Sequence, residues 1–167
     1  MVIRILQESD AHNYHELRLT GLRTNPEAFG STYEREAQFA AETVIERIRP
    51  SKDKFVLGAF SESGSLSGIV AFVRDTGIKT AHKAHLYGMY VAEESRGQGL
   101  GRSLMQACIR MARECEGLEH IQLTVVSRNE AARKLYESLG FELYGVERNA
   151  LKLNGRYDDE ALMVLYL

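Results

Sequence analysis

A mixed α/β domain, α+β by some schemes, is the fold class this sequence predicts: one sheet covered by helices. Three observations predict it. Short apolar or alternating runs interleave with stretches whose apolar residues recur at helical spacing. The run Leu86 to Val91 leads through an acidic turn into glycines 97, 99 and 101 and then an amphipathic helix, a strand-to-helix transition. Near the end, Asn154-Gly155 sits between two long β-rich segments, the strongest short-range hairpin signal.

In chain order, Val2, Ile3, Ile5 and Leu6 give a short first strand. Ser9 or Asp10 then caps a helix through about Leu22, in which Tyr14, Leu17, Arg18 and Leu22 share a face. Pro26 and Gly30 break the pattern, and a second helix runs from near Arg35 to Arg49, where Pro50 bars continuation. Strands at Lys54 to Ser61 and Ser67 to Arg74 pair as a hairpin through the turn residues Glu62 to Ser65. A fourth strand, His82 to Val91, enters the glycine loop, and the helix beyond it reaches about Glu116. A fifth strand, Ile121 to Val126, precedes a helix capped by Asn129 and stopped at Gly140. Strands at Phe141 to Leu153 and Tyr157 to Leu167 complete the order β-α-α-β-β-β-α-β-α-β-β. No internal repeat or long linker interrupts it, so residues 1–167 read as one domain.

Composition excludes several classes. The 167 residues carry a formal net charge of −2, without the basic footprint of a nucleic-acid binder. No apolar run approaches the roughly 20 residues that cross a bilayer, and the first residues lack the pattern of a signal peptide. The expectation is a soluble cytoplasmic protein. Cys108 and Cys115 lie about 10 Å apart on one predicted helix, too far for a disulfide, and read as small buried hydrophobes.

The glycine loop carries the chemistry. A helix start exposes N–H groups without intrahelical partners together with the positive end of the helix dipole, and glycines let a phosphate approach that backbone closely. Arg96 and Arg102 bracket the loop. The dinucleotide fingerprint requires a glycine where Arg102 stands, and the Walker loop requires a Gly-Lys-Ser/Thr that occurs nowhere in the chain. What remains, Arg96-x-x-Gly99-x-Gly101 after a strand, resembles the acetyl-coenzyme A loop of the GNAT (Gcn5-related N-acetyltransferase) superfamily. Asn129-x-x-Ala132-x-x-Leu135-Tyr136-x-x-x-Gly140-Phe141 resembles that superfamily's second block, in the right order. The two blocks cover about a third of the chain.

The resemblance implies a single N-acetyltransferase domain with a mostly antiparallel six- to seven-stranded sheet and about four helices. It implies acetyl transfer from acetyl-coenzyme A, without a metal, to a primary amine: a small amine, an amino acid or a protein N-terminus. It implies coenzyme contacts from the backbone of Met89, Tyr90 and Val91, where two parallel strands splay apart, from Arg96, Gly97, Gln98, Gly99, Leu100, Gly101, Arg102 and Ser103 around the pyrophosphate, and from the Asn129 amide. The 3′-phosphate would meet one of Arg102, Arg128, Arg133 and Lys134. Tyr136 would be the general acid toward the departing thiolate; by spacing alone it reads equally as a core aromatic.

The amine must attack uncharged, which costs about 4.6 kcal/mol at pH 7 for a lysine-like amine and about 1.4 kcal/mol for an α-amine. Candidate general bases are His85 and Tyr87 on the fourth strand and Glu34 and Glu36 at the entry of the second helix, with a water chain as the alternative. Asp158, Asp159 and Glu160 form an acidic run suited either to a cationic acceptor or to plain solvation. Members of the family it resembles are often dimers, commonly through late strands, which leaves a homodimer open without fixing the oligomeric state. The competing reading is a non-catalytic acyl-coenzyme A sensor that keeps the cradle and acetylates nothing.

Overall fold

The computed structural model describes residues 1–167. Seven strands, β1 (Val2–Ile5), β2 (Lys54–Phe60), β3 (Leu66–Arg74), β4 (Lys83–Val91), β5 (His120–Val126), β6 (Glu142–Leu153) and β7 (Arg156–Tyr166), form one sheet in the order β1-β2-β3-β4-β5-β7-β6. The only parallel neighbours are β4 and β5.

Alternation along the strands sends side chains to two cores. On one face Phe72 of β3, Leu57 of β2, Ile121 of β5 and Met163 of β7 pack against α4 (Leu100–Arg113) and α5 (Glu130–Ser138). On the other, Val56 and Ile69 pack against Tyr14 and Leu17 of α1 (Ala11–Thr24) and Val44 and Ile48 of α3 (Ala41–Ile48). Cys108 is buried in the first core and Cys115 packs beside it; neither forms a disulfide. Burial pushes the Cys108 thiol up to about 12, so it stays protonated.

One predicted helix is two. Instead of running unbroken from Arg35 to Arg49, the chain forms α2 (Tyr33–Glu36), turns over Ala37 to Ala40, and restarts as α3. The reason lies in a buried ion pair. On a continuous helix Glu36 and Arg47 would stand about 16 Å apart along the axis, whereas Arg47 Nη1 donates to Glu36 Oε1 at 2.6 Å. The break folds α3 back so that this contact closes. The helix after the glycine loop also stops at Arg113, three residues before the predicted end, and no helix is long and apolar enough to cross a membrane.

Two departures from regular pairing shape the centre of the sheet. β4 and β5 pair only through Lys83–His120, Ala84–Ile121 and His85–Gln122; beyond His85 they diverge. On its other edge β4 carries a bulge: Ile69 pairs with Tyr90 and Ala71 with Tyr87, so Val70 faces both Gly88 and Met89. Gly88 takes φ +58° there.

Candidate active site

A cleft of about 1490 Å³ opens where β4 and β5 part. At one end lies the start of α4. Arg96 N donates to Glu93 O and Ser103 N to Gly99 O, and the intervening N–H groups, Gly97 through Arg102, have no acceptor in the chain. Gly99 is the N-cap of α4 at φ +78°, and a Cβ there would meet nothing within 4 Å. The loop is therefore open on its N–H side, with the helix dipole behind it, which suits an anion with several oxygens. A Gly99→Val replacement has room but would strain the left-handed backbone by about 1–2 kcal/mol and put a side chain in the cradle. It is expected to weaken acetyl-coenzyme A binding at least tenfold, measured by calorimetry, with a melting temperature lowered by only a few degrees.

Gly97, Gly99, Leu100, Gly101 and Arg102 line the cleft, as do Met89, Tyr90 and Val91 on the free edge of β4. Gln98 and Ser103 do not; Gln98 turns its amide to Glu94 O and Ser103 enters the helix ladder. Arg96 holds the loop together rather than simply adding charge: its Nε donates to Val91 O at 3.0 Å, its Nη2 to Asn25 Oδ1 at 3.0 Å, and it lies over the Tyr90 ring. Asn129 lines the cleft with its Oδ1 accepting from Ala132 N at 3.3 Å, the N-cap role, which leaves its amide nitrogen without a partner in the chain. Of the basic candidates for a distant phosphate, Arg102 and Arg128 line the cleft; Arg102 also donates to Ser138 Oγ at 2.7 Å, and Arg128 is held bidentate by Asp158.

Tyr136 projects from α5 into the cleft wall, 7 % exposed, edge-on to Phe141. No group of the chain bonds its hydroxyl, although it is not sealed from the cleft. Burial pushes this phenol up to about 12. The ring belongs to the core, as its spacing suggests, and the hydroxyl is left unpaired by the rest of the chain.

The candidate bases fare differently. His85 stands at the last rung of the β4–β5 pairing, its Nε2 3.5 Å from Asp75 Oδ1, and is not among the groups lining the cleft. Glu34 is exposed and also outside it. Tyr87 reaches the cleft, but burial and, secondarily, Asp75 raise its pKa, making it a poorer base near neutrality. Glu36 is fully buried between Arg18 and Arg47. The acidic run divides into three: Asp158 is paired with Arg128, Asp159 accepts from Asn149 N, and Glu160 lines the cleft.

Arg18, Glu36 and Arg47 form a cluster that reasoning from sequence did not assemble. Arg18 Nε and Nη2 donate to the two Glu36 oxygens at 3.1 and 3.0 Å, and both arginines line the cleft. Burial raises the Glu36 pKa, but hydrogen bonds from Arg18 and Ser31 and the charges of Arg18 and Arg47 outweigh it and bring the group down to about 2. The available signal was Arg18 itself, a charged residue on the apolar face of the first helix.

Residues 3–162 match the family model described as "Acetyltransferase (GNAT) domain". An L-methionine sulfoximine/L-methionine sulfone acetyltransferase of Pseudomonas paraeruginosa is 37% identical over 81 residues, 48% of this chain and 46% of that protein. The chain spans about a third to a half of the length of the curated relatives it matches first. Among solved structures, an acetyltransferase of the GNAT family from Streptococcus pneumoniae superposes with a TM-score of 0.87 at 26% identity, covering 99% of both chains. A Salmonella typhimurium protein described as an acetyltransferase, solved with its cofactor acetyl-CoA, gives 0.79 at 25% identity, covering 100% of this chain and 94% of that one.

Proposed function

Because this chain belongs to the GNAT acetyltransferase family, we propose that it transfers an acetyl group from acetyl-coenzyme A to a primary amine by direct attack within a ternary complex. The observation that carries this reading is the run of unpartnered N–H groups from Gly97 to Arg102 at the mouth of a cleft that also contains the Tyr136 hydroxyl. A pyrophosphate fits that run, and the coenzyme supplies an activated acetyl thioester.

The chain's own residues account for the remaining steps. The free edge of β4 from Met89 to Val91 offers backbone groups to the pantetheine amides, and the Asn129 amide nitrogen adds a donor from the α5 side. At Gly88 and Met89, where the bulge releases β4 from one-to-one pairing, a backbone N–H would meet the negative charge that develops on the thioester oxygen. Tyr136 stays protonated because its pKa is raised to about 12. A thiol near 8.5 is about 3.5 units more acidic, so complete proton transfer would be uphill by about 5 kcal/mol. Tyr136 therefore acts as a hydrogen-bond donor to the departing sulfur. The proton lost from nitrogen leaves through cleft water, and His85 and Glu34 take no part in this scheme.

The test is coenzyme A release, followed with purified protein against a panel of amines. Release dependent on an amine, with the acetylated amine found by mass spectrometry, is the expected result. Tight binding of acetyl-coenzyme A with no turnover on any amine would make the protein a sensor and overturn the proposal.

A further inference from the structure

We infer that Arg18 is the acceptor-recognition residue of this cleft, and that the acceptor is a small amine bearing a carboxylate beside its amino group, a free α-amino acid or a close analogue. This rests on the acetyl-transfer reading above for its reaction, but not for its geometry.

Glu36 uses only part of the Arg18 guanidinium. Nε and Nη2 form the fork to the carboxylate, while Nη1 has no partner in the chain and is not sealed from the cleft. It is aimed at the bulge of β4: a Cβ on Gly88 would sit 2.8 Å from Arg18 Nη1. The Arg18 side chain is only 13% exposed, so the fork to Glu36 and the Phe29 ring, 4.9 Å from its guanidinium carbon, hold it in one orientation.

Charge points the same way. Two guanidinium groups share one buried carboxylate, leaving one positive charge uncompensated on the wall built by α1, α2 and α3. Of the other charged groups lining that side, Glu46 pairs with Arg49, Glu27 acts on Arg128 and forms no ion pair with Arg18 or Arg47, and Lys54 adds a further cation. A partly buried arginine with a free N–H edge is a recognition element for a carboxylate. Across the split, Glu160 of β7 lines the same cleft and supplies a negative group for the ammonium end of such an acceptor. A peptide N-terminus has an amide where this acceptor has its carboxylate, and so lacks the group that Arg18 selects.

The test compares L-amino acids with their primary amides, which keep the amine and side chain and lose only the carboxylate. Binding is measured calorimetrically on protein saturated with coenzyme A, and kcat and KM are measured with acetyl-coenzyme A. The expected result is at least one free acid that binds and reacts ten- to a hundredfold better than its amide. In Arg18→Lys, which keeps a cation against Glu36, that preference falls to within about twofold, through loss on the acid alone. Circular dichroism and the melting temperature establish that the variant is folded. An Arg18→Gln variant, in which Glu36 keeps its pair with Arg47, serves if the lysine variant unfolds. Amides binding as well as acids, or neither binding, overturns the proposal. Equal loss of kcat on acids and amides also overturns it, since Arg18 would then act on the thioester rather than the acceptor. Acids that bind selectively but never react would leave the anion site standing and sink the transfer reading instead.

Discussion

Tyr136→Phe is expected to lower kcat about ten- to a hundredfold while leaving the dissociation constant for acetyl-coenzyme A and the melting temperature essentially unchanged. The magnitude is that of one hydrogen bond to a group developing charge, about 1.5–3 kcal/mol. Stability is spared because the hydroxyl has no partner within the chain to lose, and the ring contact with Phe141 survives in phenylalanine. The pH profile of the wild type adds a second check. With the phenol at about 12, kcat should rise with pH as the acceptor amine loses its proton and show no decline attributable to tyrosine below about pH 11. Pre-steady-state measurement of coenzyme A release separates the chemical step from product dissociation. Unchanged turnover in the variant would remove Tyr136 from the reaction.

Glu36→Gln is expected to cost about 3 kcal/mol of stability at neutral pH, read from urea unfolding. The carboxylate is fully buried and neutralises two arginines, and removing one partner of such an arrangement leaves uncompensated charge in a desolvated place. The same figure follows from linkage. A group held at about 2 instead of its ordinary 4.5 favours the folded state by about 3 kcal/mol once both states are ionised. The sign is that of a depressed carboxylate: the contribution is complete above about pH 4.5 and disappears as pH falls toward 2. The stability difference between wild type and variant should therefore be full at pH 6 and close to nothing near pH 2. A constant difference across that range would show that shape, rather than charge, is what Glu36 supplies.

The parts of the site legible in the sequence are those encoded over short distances. The glycine loop, the start of α4 and the cap of α5 depend on neighbours within a turn or two, and Asn129, Gly99 and Tyr136 lie where local spacing puts them. The Arg18–Glu36–Arg47 cluster depends on contacts across 18 and 11 residues, and nothing local marks its members as partners. Glu34 and Glu36 show the difficulty in small compass. Two residues apart on a helical turn, they face nearly opposite ways, and only the packing of α1 and α3 decides that Glu36 is the buried one. His85 lies outside the cleft lining for a related reason. Strand periodicity indicates which face a residue occupies but not where two strands begin to part, and His85 falls on the paired side of that point. The split helix has the same origin, since helical propensity continues where a tertiary ion pair requires a turn.

The narrow seam between β4 and β5 has a mechanical consequence. Three rungs at one end of two long strands are the only backbone pairing across this seam and would be the pivot for the half-sheets β1 to β4 and β5 to β6, the two arms of a pair of tongs that also share a core against α4 and α5. A small rotation at the pivot changes the gap least beside His85 and most at the far end, where Val91 feeds the phosphate loop and Val126 feeds α5. A long, thin molecule lying along both inner edges would act as a removable crosspiece, fixing the spread of the arms and, with it, the separation between Arg18 on one and Glu160 on the other. Filling the donor half would in this way set the bite of the acceptor half.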